Sequence, residues 1–288
     1  MVYLQYLLPH HTINKLAKIF GNCPITWVKN FLISCFLKNY TVNLQESIQP
    51  DPFAYKTYNE FFTRQLNSSA RIIDPNPNSI VSPADGSITQ YGNIENNVLI
   101  NTKGFNLSLT NLLAQQPKNH TNNEVNHNIE PGIFANGKFI TIYLAPHNYH
   151  RVHMPITATI KHMIYVPGKL FSVNQLTVNT IPNVFTRNER VINVFDSEFG
   201  PIAIVLVGAM IVGSIVTSWH GTVNPTNLRS ITSWNYQNNH LTLNKAEEMG
   251  LFQLGSTVIV LFANNNITFA ENITINSPIK MGEKIAQL

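Results

Sequence analysis

The chain changes its hydrophobic period once, and that change limits the folds open to it. Up to about residue 65 the apolar residues recur at helical spacing. After a stretch crowded with Pro, Asn and Asp, "RIIDPNPNSIVSPADGSI" at 71–88, they come in short runs rich in Val, Ile and Thr. Helices gathered at one end and strands at the other predict an α+β protein, with N-terminal amphipathic helices over 1–65 and a β-rich domain over 66–288. Strands are expected in "VLINTKG", "KFITIYLA", "TATIKHMIYV", "PIAIVLVGAMIVGSIVTSW", "HLTLNKAEEMG" and "STVIVLFA". In that second part only about 107–116 and "SVNQLT" read as helical, and the polar segment 117–131 reads as a surface loop. The 288 residues suffice for one large domain or two small ones.

Charge sharpens the division. No Asp or Glu precedes Glu46, whereas Lys15, Lys18, Lys29 and Lys38 all do. The first 45 residues therefore carry the whole net charge of +4, and the remainder balances 15 basic against 15 acidic residues. A basic terminus asks for an anionic partner, nucleic acid or lipid. Periodicity favours lipid. Ile13, Leu16, Ala17 and Phe20 follow the one-face helical rule, with Thr12 as the expected N-cap. Behind Pro24, the pairs Trp27 and Val28, Phe31 and Leu32, Cys35 and Phe36 form a broad apolar stripe. Such a helix pair fits an anionic membrane surface, and equally an ordinary helix packed on a core. No stretch reaches about 18 uncharged apolar residues, so no span is expected. "MVYLQYLLPHH" lacks a basic n-region and a cleavage pattern. Nothing resembles a basic groove with stacking aromatics, so nucleic acid is not the expected partner. Cys23 and Cys35 are spaced for neither a disulfide framework nor a metal site and fit a reducing compartment.

Three features could carry chemistry. Asp85 sits in an Asp-Gly pair that by itself reads as a turn. His147, His150 and His153 recur every three residues. Their flanks look like strands, where a three-residue offset puts His150 and His153 on opposite faces unless the chain bends, and no local acid or thiol completes a zinc site, so no metal is expected. Gly255-Ser256 interrupts the apolar run "MGLFQLGSTVIVLFA" at 249–263. It reads either as a bulge or as the place where chemistry happens. Asp85, a histidine and Ser256 together contain an orienting acid, a base and a nucleophile. An echo, "AMIVGSIVT" at 209–217, makes Gly213-Ser214 a natural control.

"SPADG" at 82–86, "YHRVHMP" at 149–155 and "LGST" at 254–257 stand in an order that resembles bacterial phosphatidylserine decarboxylase proenzymes, a pyruvoyl-dependent family. "YNEFFTRQL" at 58–66, "KGFNLSLTNLL" at 103–113, "PGKLFSVNQLT" at 167–177, "TRNERV" at 186–191, "FGPIAIVLVGAMIVGSI" at 199–215 and "EEMGLFQLGSTVI" at 247–259 extend the resemblance over nearly the whole chain. The resemblance implies self-cleavage between Gly255 and Ser256, leaving chains 1–255 and 256–288 held together by strand pairing. Ser256 would attack the Gly255 carbonyl, with His153 as base and Asp85 orienting it, and would end as a covalent pyruvoyl group. That ketone would condense with the amine of phosphatidylserine and act as the electron sink for loss of carbon dioxide, giving phosphatidylethanolamine. His150 is the implied proton donor or carboxylate-positioning group of this second reaction. The implied location is the cytoplasmic face of the cell membrane, bound peripherally, and a homodimer is a compatible assembly. Arg64, Arg151, Arg187 and Arg190 are cations in or beside these motifs that could meet the phosphate. Three rivals stay open: a serine hydrolase using Asp85, His153 and an intact Ser256, a β-rich lipid-binding or carrier domain without chemistry, and a pyruvoyl enzyme acting on a soluble amino acid.

Overall fold

A computed structural model describes residues 2–100, 106–114, 129, 132–210, 214–224, 228–253 and 256–288. The fold is α+β. A 3-10 turn, Val2–Leu7, leads into helices α1 (His10–Gly21) and α2 (Thr26–Asn39), and the short α3 (Tyr58–Phe62) follows a second 3-10 turn at Leu44–Glu46. Helix α1 starts earlier than the sequence indicates: Pro9 is the N-cap and its carbonyl accepts from the Ile13 N–H, so Thr12 falls inside the first turn. Thr57 caps α3, its hydroxyl accepting from the Glu60 N–H. Ile33 and Phe36 of α2 bury against Tyr55, Phe61 and Phe62, a small apolar cluster separate from the main core.

The β part is built on eleven strands to be used below: β1 (Ser79–Val81), β2 (Gly86–Glu95), β3 (Lys138–Leu144), β4 (Arg151–His153), β5 (Ala158–Val166), β6 (Arg190–Ser197), β7 (Gly200–Val207), β8 (Ile215–Thr217), β9 (Glu248–Phe252), β10 (Ser256–Phe262) and β11 (Lys284–Gln287). The largest sheet runs β5-β6-β7-β10-β3-β2, every pair antiparallel, with shorter strands at both edges. Strand β10 is central and buried at every residue, as a continuous Val-Ile-Leu-Phe run requires. Burying each of Val258, Ile259, Val260, Leu261 and Phe262 contributes about 1.5–3 kcal/mol. A second sheet joins β8, β9 and β4, and a third joins β1 to β11.

Most strand expectations correspond to strands, trimmed at the ends. Three differences are physical. The processed-looking residue opens β10, but β10 is not the last strand, because Thr268–Phe269, Pro278–Ile279 and β11 follow it. Gly86 opens β2 rather than a turn: a Cβ there would lie 2.3 Å from the Tyr143 carbonyl oxygen, so glycine is needed for the close approach of β2 to β3. Helix over 107–116 shrinks to α4 (Leu109–Leu112) behind the two-residue strand Leu107–Ser108. The "SVNQLT" helix is α5 (Gln175–Thr180), followed by α6 (Val184–Arg187). The loop expected at 117–131 lies almost wholly outside the described residues, as do Leu254, Gly255 and Gly213.

Candidate active site

Three strands bring the candidate residues to one end of the large sheet. Ser256 pairs with Leu144, and the register of β2 on β3, Ser87 opposite Tyr143, sets Asp85 just beyond the same end. From Leu144 the chain turns through 145–149 and returns as β4, which pairs with β9: Glu248 lies opposite His153, and the Phe252 N–H donates to the His150 carbonyl. Four residues after Phe252 the chain reaches Ser256. One turn and one strand pair thus connect the segments that carry the two histidines and the serine, which are far apart in sequence.

His150 precedes β4 rather than lying in it, and this bend frees it from strand alternation, so both His150 and His153 are buried. The three histidines do not converge. His147 is exposed near the Tyr40 ring, His150 stacks on Phe62 with ring centroids 4.2 Å apart, and His153 meets Tyr149. Among the described residues no group of His, Cys, Asp and Glu could hold a metal ion.

Both buried imidazoles are neutral at pH 7. Burial lowers the His150 pKa to about 3, and the Arg64 charge opposes protonation further. Its Nε2 faces the Pro146 carbonyl at 3.2 Å and must donate there, which leaves Nδ1 as an acceptor with no partner among the described residues. Burial lowers the His153 pKa as well, against the Ala246 carbonyl and the charges of Glu248 and Asp85. Its Nδ1 donates to the Ala246 carbonyl at 2.8 Å, and its Nε2 accepts from the Tyr149 hydroxyl at 3.0 Å. Burial raises the Tyr149 pKa, so that hydroxyl stays a donor.

Asp85 is brought near His153, whose N–H donates to the Pro83 carbonyl at 2.8 Å, but the two side chains are not hydrogen-bonded. The Asp85 carboxylate accepts from Arg71 Nε at 3.0 Å, from Arg71 Nη2, and from the Met281 N–H at 2.9 Å. Arg71 also pairs with Glu46 at 2.8 Å, tying the helical segment to the site. The His153 imidazole is therefore oriented by the Ala246 carbonyl, and Asp85 reaches it only as a nearby charge. Arg71, Tyr149 and Ala246 escaped the sequence reading; an arginine fourteen residues before Asp85 in a charge-poor chain was the one signal available.

Ser256 is fully buried and its Oγ has no hydrogen-bond partner among the described residues. Thr257 Oγ1, Gln253 Oε1 and His150 Nδ1 are likewise buried and unpartnered. Orphaned buried polar atoms cost about 1–3 kcal/mol each, so the neighbouring Ser256 and Thr257 hydroxyls at the start of β10 are held at a cost in stability. Gly255, the partner in the expected cleavage, lies outside the described residues. Ser214, the control serine, is different: its Oγ accepts from Lys18 Nζ at 3.1 Å.

The family model for phosphatidylserine decarboxylase matches residues 58–287, and a second model, described as PSD, matches 1–41. The chain belongs to the phosphatidylserine decarboxylase family. Relatives named phosphatidylserine decarboxylase proenzyme agree along almost the full length. The protein from Bordetella petrii is 45% identical over 285 residues, 98% of this chain and 95% of the relative. That from Pseudomonas putida is 44% identical over 285 residues, covering 98% and 95%. That from Aliivibrio salmonicida is 44% identical over 288 residues, covering 99% and 96%. In this decarboxylase family member, the family model for the enzyme spans every residue of the site built above.

Proposed function

We propose that the chain is a phosphatidylserine decarboxylase made as a proenzyme, that it breaks its own Gly255–Ser256 bond, and that Ser256 becomes a covalent pyruvoyl group. The observation that carries this reading is the buried, unpartnered Ser256 hydroxyl at the mouth of the central strand, in a member of this family. A hydroxyl is normally satisfied when buried. One left bare at the start of the central strand is available for chemistry.

Cleavage balances without any second protein. Ser256 Oγ bonds to the Gly255 carbonyl carbon and its proton passes to His153 Nε2. The amide nitrogen leaves protonated, and an ester replaces the amide. Loss of the Ser256 α-proton then expels the Gly255 carboxylate. The dehydroalanine left at 256 tautomerises, and water releases ammonia. His153 suits the first step because burial keeps it neutral and Ala246 fixes the proton on Nδ1. Asp85 favours the imidazolium that forms, through its charge.

The pyruvoyl ketone supplies the electron sink for decarboxylation. The bare residues around Ser256 fit such a group: Thr257 Oγ1 is a buried hydroxyl next to it, and β3 and β7 exclude water on either side. His150 has no spare proton at rest. Its Nδ1 takes one from the ammonium of the arriving substrate and returns it to the α-carbon after carbon dioxide has left. Phe62 and neutral His150, buried and stacked on one another, present an uncharged edge beside which a substrate carboxylate would lose its charge more readily than in water.

The helical segment 1–65 serves as the membrane contact of the domain 66–288. Among the described residues, eleven of the eighteen exposed large hydrophobic side chains lie between Tyr3 and Phe31. On α2 the broad stripe divides: Ile33 and Phe36 face the protein, while Trp27 and Phe31 are 75% and 64% exposed. No helix among the described residues is long and apolar enough to cross a membrane. Peripheral attachment at the cytoplasmic face suits this surface and the free thiols of Cys23 and Cys35. Release of labelled carbon dioxide from phosphatidylserine carrying the label in its carboxylate tests the activity. Wild-type protein releases it, Ser256→Ala does not, and release by Ser256→Ala would overturn the reading.

A further inference from the structure

Four arginines are candidates for meeting the substrate's anionic groups, and the structure separates them. Arg190 donates to the carbonyls of Leu112, Thr186, Asn188 and Asn111. Arg151 is paired with Glu248 at 2.8 Å and donates to the Thr63 carbonyl at 2.9 Å. Arg187 lies over the Tyr6 and Phe171 rings and donates to the Tyr6 hydroxyl at 2.9 Å. Arg64 alone of the four combines burial with unmet donors. It is 4% exposed, and neither Nε nor Nη1 has a partner among the described residues. Only Nη2 is used, on the carbonyls of His147 and Asn148 at 3.1 and 3.4 Å.

We infer that Arg64 is the anchor for the phosphodiester of the lipid headgroup, an inference that rests on the decarboxylase reading above. The turn it grips begins one residue after Leu144, the strand partner of Ser256, and ends at His150. Phe62, two residues before Arg64, supplies the stack on His150. Arg64 and the reacting centre are therefore held by the same short piece of chain. A buried guanidinium with two idle donor groups is a costly arrangement, and burial already lowers its pKa. An anion bound there restores the lost hydrogen bonds.

The substrate brings two anions, and the chemistry chooses between them. A cation held on the carboxylate would stabilise the charge that decarboxylation must destroy, and so would slow the reaction. The phosphodiester keeps its charge throughout, so a cation there strengthens binding of substrate and transition state alike. Arg64 then fixes the headgroup while the carboxylate lies beside the uncharged edge of Phe62 and His150.

The test uses full-length Arg64→Gln and Arg64→Lys, each first checked for cleavage into two pieces. KM and kcat are measured on phosphatidylserine in mixed micelles. Affinity is measured separately for phosphatidylethanolamine, which keeps the phosphodiester and has no carboxylate. Arg64→Gln is expected to raise KM and weaken phosphatidylethanolamine binding roughly ten- to hundredfold, with kcat changed much less. Arg64→Lys is expected to recover part of the loss. Lost kcat with unchanged phosphatidylethanolamine affinity would assign Arg64 to the carboxylate and overturn the inference. If Arg64→Gln does not process, Arg64→Lys decides: unchanged KM and phosphatidylethanolamine affinity with lowered thermal stability would leave Arg64 only a clamp on the 147–148 turn. Failure of the underlying reading is distinct, since wild-type protein would then not turn over phosphatidylserine at all.

Discussion

His150 and His153 sit three residues apart yet face different work. On the proposed reading His153 Nε2, which accepts from the Tyr149 hydroxyl at 3.0 Å, takes the Ser256 proton once that hydroxyl turns away, and His150 Nδ1 serves the later transfer. His153→Ala is therefore expected to accumulate uncut chain on a denaturing gel. His150→Ala is expected to cut at least partly and to turn over phosphatidylserine two to four orders of magnitude more slowly. The reverse pattern would exchange the two roles. Burial also makes both histidines a source of acid sensitivity. Each has a folded pKa below its unfolded value of 6.5, so the unfolded chain takes up protons first as pH falls. Their contribution is complete above about pH 6.5 and is lost below it, at up to about 1.4 kcal/mol per pH unit for each group. For His150 the loss continues down to about pH 3. The urea midpoint of the uncut Ser256→Ala chain should drop from pH 7.5 to pH 5.5, and adding His150→Gln should flatten that drop. A midpoint independent of pH would contradict the burial of neutral imidazoles. The candidate residues Asp85, His150, His153 and Ser256 were legible in the sequence because they stand in recognisable motifs. Their partners were not. The Ala246 carbonyl and Arg71 reach the site through long-range contacts that leave no local pattern.

At the scale of elements, side-chain faces decide what the N-terminal helices do. Lys29 is buried and donates to the Asn30 side chain and the Phe53 carbonyl, and Lys18 reaches Ser214. Lys15 and Lys38 remain exposed. Two such lysines are worth roughly 1 kcal/mol each at an anionic surface. Full burial of one large apolar side chain contributes about 1.5–3 kcal/mol. The apolar term therefore wins, and the salt sensitivity expected from the charge of +4 should be modest. Trp27→Ser with Phe31→Ser is expected to weaken sedimentation with anionic vesicles more than raising the salt does. Loss of binding in high salt with no effect of the double variant would contradict this account. In the core, Leu261→Ala on β10 should cost about 2–5 kcal/mol by urea unfolding of the uncut chain. The period of 2 failed at two strands for a physical reason. In β6, "RVINVFDS" puts Arg190 and Asn193 inside the protein, where carbonyls accept from the Arg190 guanidinium and from Asn193 Nδ2, so polar letters occupy core positions. In β2 the half-buried Thr89, Gln90 and Tyr91 stand in a row and mask the alternation.

The whole molecule turns on one covalent change that the sheet can survive. Strand β10 begins at Ser256 and is hydrogen-bonded along its length to β3 on one side and β7 on the other, while β11 pairs with β1. A chain cut before Ser256 therefore keeps the strand pairs that join 256–288 to the rest, and the two pieces should elute together until denaturant is added. The division into a helical part and a β part was legible from one change of period. The placement of Ser256 inside the sheet was not, since it depends on its pairing with Leu144 of β3, a strand far earlier in the chain. Ser214→Ala removes a hydroxyl already engaged by Lys18 and should leave cutting intact. The most direct measurement is the intact mass of both pieces of purified wild-type protein. The account predicts a chain ending at Gly255 and a second chain, 256–288, lighter than its serine-started sequence by one ammonia and closed to Edman degradation. A single uncut chain that nevertheless releases carbon dioxide from phosphatidylserine would contradict it.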